Sequence, residues 1–526
     1  MPRPAVSLRA AALAVALACA AGAMAQGSPL PGHWTAAAVD ADVERAFARA
    51  AAEHKPVLLY WGASWCPPCN RLKATLFNRH DFIEQSRALV AVHVDGDRPG
   101  AQKLGARFKV RGYPTLVLLA ADGREIARLP GEAEPEQVVA LLRQGLAGGR
   151  AARDVLADAR AGKPLSPLEW QLVAFDPWQA DGEALVPDAE RAALAARLAA
   201  AAPQPRLAQR LWLRAVAASD DGKGLRADDA LRVRVDALLA DPAAARAQAD
   251  LLVQHPREIV RALADEGSAE RDALVQRYDA ALRRLVADAT LSRADRALAL
   301  LGRVELARLA LPPEHAGDTA RLPAPLRDEV RRHVERDDRE IVDGYERQAV
   351  ITTAAYLLGR AGLAADADAL LVANLQRSHS PYYLMSQLAG NAKRRGDKAE
   401  ALRWSEQAWA ASVGPATRLQ WGASHLAQLV ELAPDDAPRI EAAASRLFGE
   451  AAQDASAFYG RSLRSLQRAG GQLLAWNLDG RHDAAIARLR AQLAPVCAKL
   501  PDADGQREGC RGLLQASRRA AGGGES

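Results

Sequence analysis

The spacing of apolar positions changes character along the chain. Between residues 41 and 54 they recur at helical intervals (Val43, Ala46, Phe47, Ala50), and Lys55-Pro56 ends the pattern. Val57-Leu58-Leu59-Tyr60-Trp61 follows as an unbroken apolar run, the length of a buried strand, stopped by Gly62. A helix is predicted over 66–77 with Leu72, Leu76 and Phe77 facing inward, then a strand over 88–94 and a short helix over 101–108. Residues 115–119 read as a third strand. The turn Ala121-Asp122-Gly123 leads to a fourth over 125–129, and a helix over 135–146 closes the unit. Strands alternating with helices, then a hairpin, predict an α/β domain with a mixed sheet over 38–147. Residues 26–37, with Pro and Gly, read as an unstructured lead-in.

Beyond Gly148-Gly149 almost every periodic stretch has helical spacing. Ser166-Pro167-Leu168-Glu169 is a capping box with proline at the first helical position. Further helices are predicted over 189–201, 207–217, 227–239 and 271–287, separated by short breaks at Pro, Gly or Asp. Gly362 and Gly396 lie 34 residues apart, as do Ala367 and Ala401, and Pro381 and Pro415. Gly396-Asp397-Lys398-Ala399-Glu400-Ala401-Leu402 is the clearest unit, and Gly480 to Ile486 echoes it. This period resembles the tetratricopeptide helix-turn-helix repeat, although Ala389 and Ala392 stand where that repeat has a small residue and an aromatic. An all-helical, repeat-like region is expected over 160–520.

Composition narrows the classes. At 526 residues, with 49% hydrophobic and 25% charged side chains, the chain is long enough for several soluble domains. Residues 1–25 read as an export signal: Arg3 and Arg9, a short apolar core over 10–22, and the small-x-small site Ala23-Met24-Ala25. An uncleaved anchor is the alternative, disfavoured because the core is shorter than the ~20 residues that span a bilayer. No other stretch is long and apolar enough to span, so the mature chain is expected to be soluble and periplasmic, without a membrane span. The net charge of +5 is weak for this length and no basic run is interleaved with aromatics, which gives nucleic-acid binding no support. The ten histidines form no HxxxH or HExxH pair, and neither a metal nor a cofactor is expected.

Removal of the leader leaves Cys66, Cys69, Cys497 and Cys510, two close pairs in a compartment that permits disulfides. A zinc site at Cys66 and Cys69 would need two further Cys or His ligands at suitable spacing, and none lies nearby. A cysteine just before a helix receives the positive end of the helix dipole and a backbone N–H, so its thiolate is stabilised. Cys66 holds that position as the expected nucleophile. Cys69, one turn further on, is expected to be buried and to resolve the mixed disulfide.

Trp61-Gly62-Ala63-Ser64-Trp65-Cys66-Pro67-Pro68-Cys69 resembles the active-site loop of the thioredoxin family, and Arg107 to Thr115 resembles its cis-proline loop. The resemblance covers 38–147. It implies a cis bond before Pro114, a substrate strand on the backbone of Tyr113, and apolar surface from Trp65 and Tyr113 beside the sulfur. It also implies thiol–disulfide exchange with protein substrates, and Lys55-Pro56-Val57 is similar to periplasmic reducing relatives such as the C-terminal domain of the transmembrane electron-transfer reductase, which makes a membrane electron-donor reductase an expected partner. Neither Pro67 nor Pro68 has an N–H to offer the thiolate, which points to a reducing or intermediate potential. Tyr60 stands where many relatives bury an Asp that takes the second thiol's proton. A phenol of pKa ~10 is a poor base at neutral pH.

Cys497 and Cys510 flank the turn Pro501-Asp502-Ala503-Asp504-Gly505. A structural disulfide is the preferred reading, with a relay to Cys69 or free thiols as alternatives. For the whole chain the expectation is an oxidoreductase whose helical region selects partners without touching the chemistry. The competing expectation is a helical binding scaffold with a docking or redox-sensing domain.

Overall fold

The computed structural model describes residues 30, 33–131, 135–180, 183–219, 224–311 and 322–515. The export leader expected at 1–25 lies outside them.

The N-terminal domain is built on a five-stranded mixed sheet in the order β1-β3-β2-β4-β5. Its strands are β1 (Thr35–Ala37), β2 (Val57–Gly62), β3 (Val90–Asp95), β4 (Thr115–Leu119) and β5 (Glu125–Pro130). The first three run parallel, β4 is antiparallel to β2, and β5 is antiparallel to β4. All six residues of β2 are buried, as an unbroken apolar run requires of a central strand covered on both faces. Helices α1 (Asp40–Glu53), α2 (Pro67–Thr75), α3 (His80–Ser86), α4 (Ala101–Arg107) and α5 (Pro135–Leu146) complete the domain. Leu72, Leu76 and Phe77 are buried as expected. Thr35–Ala37 departs from the expected lead-in: these residues pair with Val92–Val94 of β3, and three residues are too few for alternation to declare a strand.

From Ala152 to Leu514 the described residues are helical apart from irregular turns and a two-residue hairpin at Gln179–Ala180 and Glu183–Ala184. Successive helices pack on each other. The 34-residue spacing corresponds to helix pairs: Gly344–Arg360 with Ala364–Asn374, and Pro381–Arg394 with Lys398–Ala411. Gly362 and Gly396 supply the left-handed turns (φ 77° and 80°), Pro381 and Pro415 start helices, and Ala367 and Ala401 are buried where the pairs touch. Ser166 caps its helix in a reciprocal box with Glu169.

Candidate functional site

Strand β2 ends at Gly62, and Cys66 is the N-cap of α2 with Pro67 and Pro68 as the first helical residues. Both prolines fit because the first amides of a helix have no intrahelical acceptor. The first N–H after them is that of Cys69, which donates to Cys66 Sγ at 3.2 Å. Cys66 and Cys69 are joined as a disulfide. On the facing loop the Tyr113–Pro114 bond is cis. Tyr113 is fixed by Gln102, whose Nε2 donates to its Oη (2.9 Å) and to the Gly96 carbonyl (2.8 Å). Gly96 has to be glycine, since a Cβ there would lie 2.1 Å from Tyr113 Oη. Burial pushes the Tyr113 phenol up to about 12, and pushes Tyr60 higher still, so neither is a base at neutral pH.

The helical region, expected to stand apart from the chemistry, lies against the dithiol. Cys66 is only 1% exposed and Cys69 not at all. Helices from far along the chain lie over Trp65 and the cis-proline loop, and the dithiol joins their apolar core. Gln348 Nε2 donates to the Trp65 carbonyl (3.2 Å), and Tyr383 stacks on the Trp65 ring with centroids 6.0 Å apart. The Arg461 guanidinium sits over both Trp65 (4.6 Å) and Tyr113 (5.2 Å). Its backbone N–H and that of Ser462 donate to Gln102 Oε1. Behind the dithiol, α2 packs on the Gly344–Arg360 helix, and Arg71 pairs with Asp295.

The central clasp is Asp97, two residues beyond β3. Its carboxylate accepts from Trp65 Nε1 (3.0 Å), Thr417 N–H (2.8 Å) and Thr417 Oγ1 (2.7 Å). The Pro415–Leu432 helix begins at Gly414, which has no side chain to cap it, so Asp97 serves as its N-cap from 320 residues away. Gly414 (φ 90°) permits the approach, since a Cβ there would lie 2.7 Å from Asp97 Cβ. Burial, reinforced by the neighbouring Asp95 carboxylate, raises Asp97 to about 6 against the lowering pull of Thr417, Arg461 and Trp65.

Sequence reasoning picked out Trp65, Cys66, Cys69, Tyr113 and Pro114, which the fold brings together. It missed Asp97, Gln348, Tyr383, Thr417 and Arg461, whose only local signal is the Asp95-Gly96-Asp97 run after a strand. Cys497 and Cys510 are bonded and buried at the far end of the chain, joining the Asp483–Lys499 helix to the Gln506–Arg511 helix. Among the described residues no group of three or more His, Cys, Asp or Glu is placed to hold a metal ion.

A mixed sheet carrying a Cys-x-x-Cys at the start of a helix, opposite a cis-proline, defines a domain of the thioredoxin class. Residues 43–146 match the family model of a thioredoxin-like domain. Over 117 residues the chain is 29% identical to a protein disulfide-isomerase of Triticum aestivum, covering 21% of each protein. It is 32% identical over 98 residues to the thiol:disulfide interchange protein DsbD 2 of Pseudomonas aeruginosa (18% of this chain, 17% of the relative). It is 31% identical over 88 residues to the disulfide bond reductase DsbH of Chlamydia pneumoniae (15% of this chain, 53% of the relative). The chain thus spans about a fifth of the first two relatives' length and about half of the third's.

Proposed function

We propose that this chain is an exported, periplasmic thiol–disulfide oxidoreductase that exchanges disulfides with protein substrates and works in the reducing direction. The observation that carries the reading is the Cys66–Cys69 pair at the start of α2, facing the cis Tyr113–Pro114 bond. In the reduced protein the Cys66 thiolate attacks one sulfur of a client disulfide. The client's other sulfur leaves as a thiolate and takes a proton. Cys69, losing its proton, then attacks Cys66 Sγ, the second client thiol departs, and the Cys66–Cys69 disulfide holds the oxidising equivalent. A membrane electron-donor reductase would return the pair to dithiol. Trp65, Tyr113 and Pro114 would receive the client strand, and Cys497–Cys510 would brace the C-terminal helices.

Support for the reducing direction comes from the two prolines, which leave the Cys69 amide as the first donor of α2 near the Cys66 sulfur. A relative named as a disulfide bond reductase also supports it. Equilibration with glutathione should place the potential well below the ~−120 mV of a strong oxidant. A value at or above that figure would overturn the direction. A Cys69→Ser variant should trap clients as mixed disulfides through Cys66.

The burial of Cys66 favours a second reading, in which the domain docks or senses redox state within a helical scaffold. Insulin reduction by the full chain, abolished by Cys66→Ser, separates the two. A scaffold would show no turnover with either protein.

A further inference from the structure

A cavity of about 460 Å³ opens against Trp65, the residue before Cys66, between Trp65 and the Gly112-Tyr113 loop on one side and helices Pro381–Arg394, Pro415–Leu432 and Gly460–Trp476 on the other. Its size lies within the ~300–1,000 Å³ range of pockets that hold small ligands or short stretches of chain. Aromatic walls come from Trp65, Tyr113, Tyr383 and Trp421. Four polar atoms of lining residues are buried and have no hydrogen-bond partner among the described residues. Two are donors, Arg461 Nη1 and Trp421 Nε1; two are acceptors, Gln387 Oε1 and Gln420 Oε1. Buried groups left unpaired in this way are costly unless a ligand completes them. Mixed donors and acceptors between aromatic walls suit the amides of a peptide.

The charge around the cavity is one-sided. Arg461, Arg464, Arg468 and Arg111 cluster along the cis-proline side, and none has an ion-pair partner among the described residues. Arg461 and Arg464 are half-buried and Arg468 and Arg111 exposed; most of the chain's buried arginines, by contrast, are paired, as Arg210 is with Asp250 and Arg303 with Asp279. The carboxylate that acts on Arg461, Asp97, is already engaged by Trp65 and Thr417.

We infer that this cavity seats a carboxylate-bearing stretch of peptide next to the reacting cysteine, with Arg461 as its anion partner, so that acidic disulfide substrates are preferred. The inference rests on the thiol-exchange reading and adds a substrate class to it. The same chemistry is offered by an acidic segment of a client protein and by a small acidic peptide thiol such as glutathione.

Calorimetry on the full oxidised chain tests the seat without any chemistry. The probes are the blocked peptide Glu-Glu-Ala-Ser-Ala-Glu and its counterpart with every Glu replaced by Gln. The Glu peptide should bind at least tenfold more tightly, as expected for a charge-assisted bond in a desolvated site. Arg461→Gln should remove most of that preference, Arg461→Lys should keep part of it, and Arg464→Gln should reduce it independently. Equal affinities, or a preference unchanged in both Gln variants, would overturn the proposal. A second arm measures kcat/KM, with dithiothreitol regenerating the dithiol, for the disulfide-linked dimers of both peptides with their Ser replaced by Cys, and for oxidised glutathione. Arg461-dependent turnover of glutathione assigns the seat to small peptide thiols, and turnover of the Glu peptide alone assigns it to client segments. Selective binding with no turnover of any substrate would leave the seat standing and refute thiol exchange. Turnover without acid preference would do the reverse.

Discussion

Thr417→Val tests whether the helical region gates the dithiol. Thr417 is fully buried and gives Asp97 two hydrogen bonds, one from its amide at 2.8 Å and one from its hydroxyl at 2.7 Å. Valine keeps the shape and the amide bond and removes the hydroxyl. Above pH ~7 the Asp97 carboxyl, raised to about 6, is mainly ionised, so the lost bond is charge-assisted and contributes about 1.5–3 kcal/mol. If Cys66 reacts only when the covering helices lift from Trp65, that weakening raises the open population by roughly 10- to 100-fold. The assay is the rate of iodoacetamide labelling of Cys66 in the reduced full chain, with Thr417→Val compared with the parent at one pH. Labelling should accelerate at least tenfold at pH 8. At pH 5, where Asp97 is mostly protonated and the bond becomes neutral, the ratio should shrink to a few-fold. A variant that is less stable yet labels Cys66 at the parent's rate would refute the gate, because the clasp would then stabilise the fold without controlling access.

Three further outcomes are expected. Asp97 has a folded-state pKa of about 6 against an ordinary 3.8, so its contribution to stability is fully present below pH ~4 and is lost as pH rises through 6; chemical denaturation of the parent minus Asp97→Asn should show a fall of about 3 kcal/mol across that window. Gly470→Ala should lower the melting temperature, because its Cβ would lie 1.9 Å from the Leu513 carbonyl oxygen; a backbone atom cannot swing aside, and overpacking of this kind costs ~1–3 kcal/mol. Replacing Cys497 and Cys510 together by Ala opens a loop with a sequence separation of 13 and should cost ~2–3 kcal/mol by denaturation, with insulin reduction per folded molecule unchanged.

The sheet domain was legible because its signals are local. The apolar run at 57–61, the turn at Ala121-Asp122-Gly123 and the Cys66/Cys69 spacing each reside in a few consecutive residues, and β4 spans the predicted 115–119. The helix pairs around Gly362 and Gly396 were readable for the same reason, since a glycine marks the turn within each pair and a proline the start of the next helix. The cover over the dithiol was not legible. It depends on Asp97 meeting Thr417 and on Gln102 meeting Arg461, contacts across 320 and 359 residues that leave no periodic trace in one chain. Gly414-Pro415 reads as an ordinary helix start. Only the fold reveals that its missing cap is supplied from outside.

Chain connectivity gives that borrowed cap a consequence in time. Asp97 is synthesised 320 residues ahead of Thr417. At ~5–20 residues per second, roughly 15–65 seconds separate the two during translation. For the greater part of that interval the helices that cover Cys66 and Cys69, which begin at Gly344, have not yet been made. The dithiol is therefore complete long before its cover, and in the finished protein a reductant reaches it only when the covering helices lift from Trp65.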